Sequence, residues 1–335
     1  MPEIAIAGTE IRYGCDDDTV MRAALRAGLG FPYECNVGSC GNCRFELLEG
    51  AVVHEREAPP AWTERDRQRN RYLGCQARPL GDCRIKVGLN DRYRSLHRPR
   101  RGAAELIAIR DLTHDVREFR FRLAQPGGFL PGQYALLFVY GVAGGRAYSM
   151  CNIPGDGGEW HFAIKRMPGG AATGRLFEAM AVGDRIEIDG PYGMAYLRED
   201  APRDILCLAG GSGLSPMISI ARAAAVSPAL AGRAIHLVHG GRAARDICGE
   251  ALIRPLPGFG DRVLYHPCIS APEDGDTAWT GRQGFVHEVA DVLFGERLGG
   301  FEIYFAGPPA MAAALRQMFF DMKIPPDQIH FDEFY

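Results

Sequence analysis

Through the first 90 residues apolar and polar positions alternate in short runs, Glu3 to Ala7, Arg44 to Leu48 and Arg84 to Val87, around one stretch with helical spacing, Thr19 to Ala27. Side chains of a strand point to opposite faces in turn, so these runs predict half-buried strands and a small mixed α/β unit. Between about 103 and 200 the runs are Val116 to Leu123, Tyr134 to Tyr140, His161 to Lys165 and Arg185 to Ile188, separated by turn clusters such as Pro126-Gly127-Gly128. Strands so spaced predict an antiparallel barrel. After residue 201 the apolar runs become continuous: Ile205 to Ala209, Ala234 to Val238, Arg262 to Tyr265 and Glu302 to Phe305, alternating with helical stretches such as Ser215 to Ala225. A strand apolar on both faces has to be covered on both, which predicts a doubly wound parallel sheet. The basic, aperiodic segment Asn90 to Arg101 reads as a linker. The expected architecture is α+β and α/β multidomain, with domains at 1–90, 103–200 and 201–335.

Composition narrows the function. The chain has 335 residues, 47% of them hydrophobic and 24% charged, with a net charge of -3. That fits a soluble enzyme and lacks the basic excess of a nucleic-acid binder. No basic-then-apolar leader opens the sequence, and no run approaches the roughly 18 apolar residues of a membrane span, so a cytoplasmic protein with no membrane partner is expected. Ten cysteines in a leaderless chain of this length point to metal or redox chemistry rather than a disulfide framework.

Their spacing is the strongest signal. Cys35, Cys40 and Cys43 form C-x4-C-x2-C, and Cys75 follows in YLGCQ. By chance such a triplet is expected only about 0.01 times in a chain of this composition. Three thiolates in one loop and a fourth from a separate segment can hold two irons, as in plant-type [2Fe-2S] sites, with Gly38 and Gly41 letting backbone amides turn towards the sulfurs. Zinc is the rival metal, but its structural sites usually pair two short knuckles, and only Cys40 and Cys43 make one. Cys15, Cys83, Cys151, Cys207, Cys248 and Cys268 have no ligand spacing and read as core or surface thiols.

Two further constellations carry weaker signals. Arg146-Ala147-Tyr148-Ser149 ends a barrel strand, and Gly169-Gly170-Ala171-Ala172-Thr173 precedes a helix expected to start near Gly174. Around a flavin, the arginine would neutralise pyrophosphate, the tyrosine cover the isoalloxazine, the serine approach N5, and the amides with Thr173 hold phosphate. A strand end and a simple turn are the alternatives, and Gly190-Pro191-Tyr192-Gly193 adds another turn that could support a cofactor. In the third region Gly210-Gly211-Ser212-Gly213 follows an apolar strand and opens a helix, placing amides where a nucleotide pyrophosphate could bind. Pro216 replaces the third glycine of the Rossmann fingerprint, and no acidic residue ends the next strand, which runs into His239-Gly240-Gly241-Arg242. Arg242 or Arg245 could touch the adenosine or lie on the surface beside Asp246. The aromatic close, Phe331 to Tyr335, could cap a flavin or anchor a last strand.

In this order, the four cysteines, Arg146-Ala147-Tyr148-Ser149, Gly210 to Gly213 and Gly307-Pro308-Pro309 resemble the reductase components of bacterial oxygenases over the full length. The resemblance is closest to reductases of ring-hydroxylating dioxygenases of the naphthalene or benzoate type, and extends to those of soluble di-iron monooxygenases. It implies a β-grasp ferredoxin domain joined to a ferredoxin-NADP reductase-like pair, with a [2Fe-2S] cluster, FAD and NADH. A terminal oxygenase or a small ferredoxin would be the acceptor, in aromatic hydrocarbon catabolism. Carried over residue by residue, it puts Arg146, Tyr148 and Ser149 on the flavin, and Gly169, Gly170 and Thr173 on its pyrophosphate. Gly210, Gly211, Ser212 and Gly213 with Gly307 and Pro308 fall on the nicotinamide nucleotide, and Phe334 near the ring. Tyr148, Ser149 and Phe334 are then the residues nearest the chemistry. A reductase of a deoxysugar dehydrase resembles this chain in domain order and motifs, and a redox-sensing iron-sulfur flavoprotein with a vestigial nucleotide domain is a further reading that only Ala306 supports. One departure stands out: the family commonly has cysteine before the Gly-Pro pair, and this chain has Ala306. Ala306→Cys is therefore expected to speed hydride transfer from NADH in stopped-flow measurements, and an unchanged rate would count against a role for that position.

Overall fold

The computed structural model describes residues 1–335 apart from Pro126, Asp156, Asp274, Phe334 and Tyr335. The turn residue Pro126 and the terminal pair Phe334 and Tyr335 therefore lie outside the described residues. The first domain runs β1 (Glu3–Ile6), β2 (Arg12–Gly14), α1 (Val20–Arg26), β3 (Arg44–Glu49), β4 (Val52–His54), α2 (Glu64–Gln68), β5 (Arg71–Leu73), β6 (Ala77–Pro79) and β7 (Cys83–Lys86). Five strands form a mixed sheet in the order β2-β1-β7-β3-β5, and β4 pairs with β6 alone. β1 is parallel to β7 and antiparallel to β2. Alternation explains the faces: Ile4, Ile6, Phe45, Leu47 and Ile85 are buried, as are Val20, Met21, Ala24 and Leu25 of α1. This is the grasp of a sheet around one helix.

The middle domain contains β8 (Arg100–Asp111), β9 (Val116–Leu123), β10 (Tyr134–Phe138), β11 (Arg146–Ser149), β12 (Glu159–Lys165), α3 (Ala171–Glu178) and β13 (Arg185–Tyr192). The sheet order is β11-β10-β13-β8-β9-β12. β9 is antiparallel to both β8 and β12. Beyond the end of β11, Met150 bridges to Phe162 of β12, so the sheet's two edge strands meet and the barrel closes. The expected linker is only partly one. Asn90 donates its N–H to the Gly30 carbonyl at 2.8 Å, and Arg100 and Arg101 already belong to β8. A register shift between Leu106 and Ala108 breaks the two-residue period of β8, which is why alternation does not reveal that strand.

The third domain runs β14 (Asp204–Gly210), α4 (Leu214–Val226), β15 (Ile235–Gly241), α5 (Gly249–Ile253), β16 (Val263–Ile269), β17 (Arg282–Gln283), α6 (Val286–Phe294), β18 (Phe301–Gly307), α7 (Pro309–Asp321) and β19 (Ile329–Glu333). All its pairings are parallel, in the order β17-β16-β15-β14-β18-β19. Ile205, Cys207 and Ala209 face α4, while Leu206 and Leu208 of the same strand face the core that α6 and α7 cover. Double coverage is the cause of the continuous apolar run. No helix among the described residues is long and apolar enough to cross a membrane.

Contacts divide the chain into two units: Met1–Gly102 with Ala135–Ala147 and Glu187–Tyr192, and the remainder. Within the first unit, Asp189 of β13 is fully buried and takes a two-pronged ion pair from Arg26 of α1, at 2.9 and 2.8 Å. The Tyr192 hydroxyl donates to the same carboxylate at 2.9 Å, and Tyr192 meets Tyr33 edge-on with ring centres 6.2 Å apart. Removing one partner of a buried ion pair strands the other charge, which costs far more than the intact pair contributes. Arg26→Ala is expected to lower the unfolding free energy in urea by about 3–5 kcal/mol, with Arg26→Lys losing less because the charge remains.

Candidate functional site

The loop between α1 and β3 holds three of the four signal cysteines, and the turn after β5 holds Cys75. The thiols are coupled in pairs, Cys35 with Cys40 and Cys43 with Cys75, each the largest influence on its partner's ionisation. Two pairs suit two irons, each held by two thiolates. Four thiolates about 2.3 Å from a single zinc would all lie about 3.8 Å apart. Among the described residues, the group of three His, Cys, Asp or Glu ligand atoms that converges within 4.8 Å is His114, Asp115 and Asp246, with no cysteine in it. The zinc alternative does not fit this arrangement.

Loop amides already turn towards sulfur. Ser39 and Cys40 each donate N–H to Cys35 Sγ at 3.3 Å, and Asn42 donates to Cys40 Sγ at 3.5 Å. Gly38 and Gly41 adopt φ of 83° and 80°, left-handed values that a side chain would resist. The bond from Cys40, outweighing burial and reinforced by those amides, brings the Cys35 thiol down to about 6. The same contact raises Cys40, so the two sulfurs share a proton that a metal ion would displace. Beside Cys35, the buried side chain of Asn36 has neither polar atom hydrogen-bonded, and its Nδ2 is the kind of orphan donor that a cluster sulfide would satisfy. The residues present fit a [2Fe-2S] cluster.

A support that sequence reading missed is Arg44, directly after Cys43. It donates to the carbonyls of Gly41 at 2.9 Å and Ala61 at 2.5 Å, and its Nε lies 3.1 Å from both oxygens of Asp66. Asp66 in turn closes a reciprocal cap with Thr63 at the start of α2, so one arginine ties the cluster loop to the next helix. The available clue was a cation at the first position of a strand whose neighbours are apolar.

In the barrel, Arg146 is exposed, with Nη1 donating to the Ala143 and Gly145 carbonyls at 3.0 and 3.2 Å. Tyr148 is half-buried and Ser149 buried. Gly169 has φ 68° with open space where a side chain would be, and Gly170 caps α3. The helix starts at Ala171, three residues before the expected Gly174. Thr173 Oγ1 accepts the Met167 N–H at 3.1 Å and lies 3.3 Å from the Gly170 carbonyl. Its hydroxyl thus closes the loop, leaving the amides at the start of α3 as the groups free to meet phosphate. The turn at Gly190 to Gly193 is instead the end of β13, where Tyr192 serves Asp189.

In the parallel sheet the two glycine segments come together. Any Cβ on Gly213 would overlap the Ala306 carbonyl, and one on Gly210 would lie 2.5 Å from Met311 Sδ. A Cβ on Gly307 would come within 3.2 Å of the Gly210 carbonyl, and Pro308 caps α7. Gly211, with φ 54°, opens on empty space. The loop from β14 into α4 therefore sits against the end of β18, at the carboxyl ends of central strands, where doubly wound sheets bind nucleotides. Arg242 gives its backbone N–H to Asp246, and Arg245 pairs with Glu273 at 2.8 Å rather than with Asp246. Burial raises the six remaining thiols: Cys15 and Cys151 to about 12, Cys248 and Cys268 to about 11, with Cys83 and Cys207 also above their usual value.

Residues 4–80 match the family described as a 2Fe-2S iron-sulfur cluster binding domain, 103–196 the oxidoreductase FAD-binding domain, and 207–317 the oxidoreductase NAD-binding domain. The chain is 40% identical to the ferredoxin-NAD(P)(+) reductase CarAd of Metapseudomonas resinovorans, over 95% of this chain and 94% of that protein. It belongs to the reductase components of bacterial oxygenase systems. A solved ferredoxin reductase in carbazole 1,9a-dioxygenase superposes with a TM-score of 0.92 at 37% identity, covering 100% of this chain and 98% of that one. The ferredoxin-NAD(+) reductase component of an alkene monooxygenase system from Xanthobacter autotrophicus (strain ATCC BAA-1158 / Py2) is 38% identical, over 95% of this chain and 96% of that protein. This reductase is an NAD(P)H-dependent flavin iron-sulfur oxidoreductase, with domains for all three cofactors. It carries electrons from NADH by way of FAD and the cluster to an oxygenase component or its ferredoxin.

The two glycines of the nucleotide loop make separable predictions. Gly213→Ala has to push the loop off β18, and is expected to weaken NADH binding at least ten-fold in a stopped-flow concentration series. Gly211→Ala, strained but unobstructed, is expected to cost only about 1–2 kcal/mol of stability.

Proposed function

We propose that residues 1–90 hold the cluster through Cys35, Cys40, Cys43 and Cys75, residues 103–200 hold FAD, and residues 201–335 hold NADH. The thiol pairing carries this reading, because it builds a one-electron carrier into the same chain as a nucleotide-binding sheet. FAD held there would supply the conversion of the electron pair of NADH into single electrons, while the chain orients, shields and tunes. Arg146 offers a cation to the flavin's pyrophosphate, and Gly169, Gly170 and the amide of Thr173 present N–H groups to it. Tyr148 would cover the isoalloxazine and Ser149 would offer a hydroxyl at N5. Gly210 to Gly213 and Gly307-Pro308 shape a cleft for the nucleotide, with the amides at the start of α4 facing its pyrophosphate. None of these steps needs an acid–base pair.

The reductase works in the cytoplasm on a diffusible acceptor, a terminal oxygenase or a small ferredoxin, with neither nucleic acid nor membrane as partner. Its relatives serve carbazole, naphthalene and alkene systems, and an oxygenase acting on an aromatic compound is the acceptor this reading favours. Anaerobic titration with NADH is expected to bleach both flavin and cluster absorbance. Cys40→Ala is expected to keep flavin bleaching by NADH while losing the cluster spectrum and at least nine-tenths of the reduction of a one-electron protein acceptor. Full acceptor reduction by that variant would overturn the relay.

A further inference from the structure

Helix α4 grows directly out of the nucleotide loop, and one of its faces is polar where an apolar helix would pack as well. Ser215, Ser219 and Arg222 stand at i, i+4 and i+7, within about 60° of one another around the helix. Ser215 and Ser219 are buried. All three donate to backbone carbonyls of one short segment, from the last residue of the Arg-Ala-Tyr-Ser strand to Asn152. Ser215 Oγ donates to the Ser149 carbonyl at 2.7 Å, and Ser219 Oγ to that of Asn152 at 2.7 Å. Arg222 Nη1 donates to the Cys151 carbonyl at 2.8 Å, with Nη2 reaching Leu252 at 3.3 Å.

The first of these bonds occupies an unusual place. Where the barrel closes, Met150 lies opposite Phe162 and Cys151 donates to the His161 carbonyl at 2.8 Å. Continuing that antiparallel register by one step sets Ser149 opposite Ala163. There the direct ladder bond is replaced by a side chain from a third element: Ala163 donates its N–H to Ser215 Oγ at 3.3 Å, and Ser215 passes its own hydrogen to the Ser149 carbonyl. A buried hydroxyl is retained only where its bonds are made, and this one makes both in the seam. The flank is close-packed as well, since a Cβ on Gly132 would overlap the Ala195 carbonyl and come within 3.0 Å of Ile220 Cδ1 on α4.

We propose that Ser215, with Ser219 and Arg222 behind it, is a positioning residue for hydride transfer. Its hydroxyl, wedged between β11 and β12, sets where Ser149 stands relative to the nucleotide loop. One rigid helix then carries the pyridine nucleotide at its start and fixes the flavin-contacting segment along its side. Because hydride transfer depends steeply on the separation of donor and acceptor, a small shift of Ser149 changes rate before it changes binding. The inference rests on Ser149 lying at the flavin.

The test is stopped-flow flavin bleaching by NADH and by NADH deuterated at the transferred position, in the full-length protein. Ser215→Ala is expected to slow the hydride step about ten-fold at saturating NADH, with half-saturation unchanged within two-fold. It is also expected to alter the long-wavelength charge-transfer absorbance when NAD+ is added to reduced protein. Ser215→Thr, which keeps the hydroxyl, is expected to restore both. A Ser215→Ala protein with normal FAD content, rate and charge-transfer absorbance overturns the proposal. If that variant loses FAD or fails to fold, Ser219→Ala decides: a slowed hydride step supports the proposal and an unchanged one overturns it. Ser149→Ala separates the two readings, since a normal rate there beside a slow Ser215→Ala shows that the helix positions a group other than the Ser149 hydroxyl.

Discussion

Every backbone N–H and C=O taken out of water has to find a partner, and a sheet or helix leaves its terminal groups without one. In this reductase the functional segments lie at such ends. Amides of the loop after α1 turn to cysteine sulfur; amides at the starts of α3 and α4 are the ones proposed to meet phosphates; carbonyls at and beyond the end of β11 turn to the side chains of α4. What would be a liability in a structural segment supplies the donors and acceptors from which the cofactor sites are built.

The same constraint explains the glycines that carry function. Gly213 is needed because its neighbour is the Ala306 backbone, not because a ligand touches it. Gly38, Gly41 and Gly169 are needed for their left-handed backbone, which aims the following amides. A glycine-rich string read as a nucleotide motif therefore contains residues of two kinds: those that make room for the chain, and those, like Gly211, that leave room for something else.

Much of this was legible in the sequence. The cysteine spacing names its metal because thiolate geometry is nearly independent of the rest of the fold, and Val116–Leu123 is a strand with the very bounds its alternation predicts. The doubly covered sheet announces itself through unbroken apolar runs. Other features were hidden for physical reasons. β8 lost its period to a shift in register, and the hydroxyls of Ser215 and Ser219 sit inside a helix whose apolar content makes it look like ordinary core. Thr173 carries a residue type suited to phosphate, yet its hydroxyl is spent on Met167. A sequence gives the functional groups present; it does not show which are already committed to the chain's own backbone.

The buried thiols have a consequence for the protein's working life. A flavin and an iron-sulfur cluster that pass single electrons can lose some of them to dioxygen, and the superoxide so formed dismutates to peroxide. Peroxide attacks thiolate, not thiol. Because burial holds all six spare cysteines above their ordinary value, they stay protonated near neutrality. Thiols so buried are poor targets for that by-product, whereas Cys35 and Cys43, the two that are shifted down, lie in the loop proposed to hold iron.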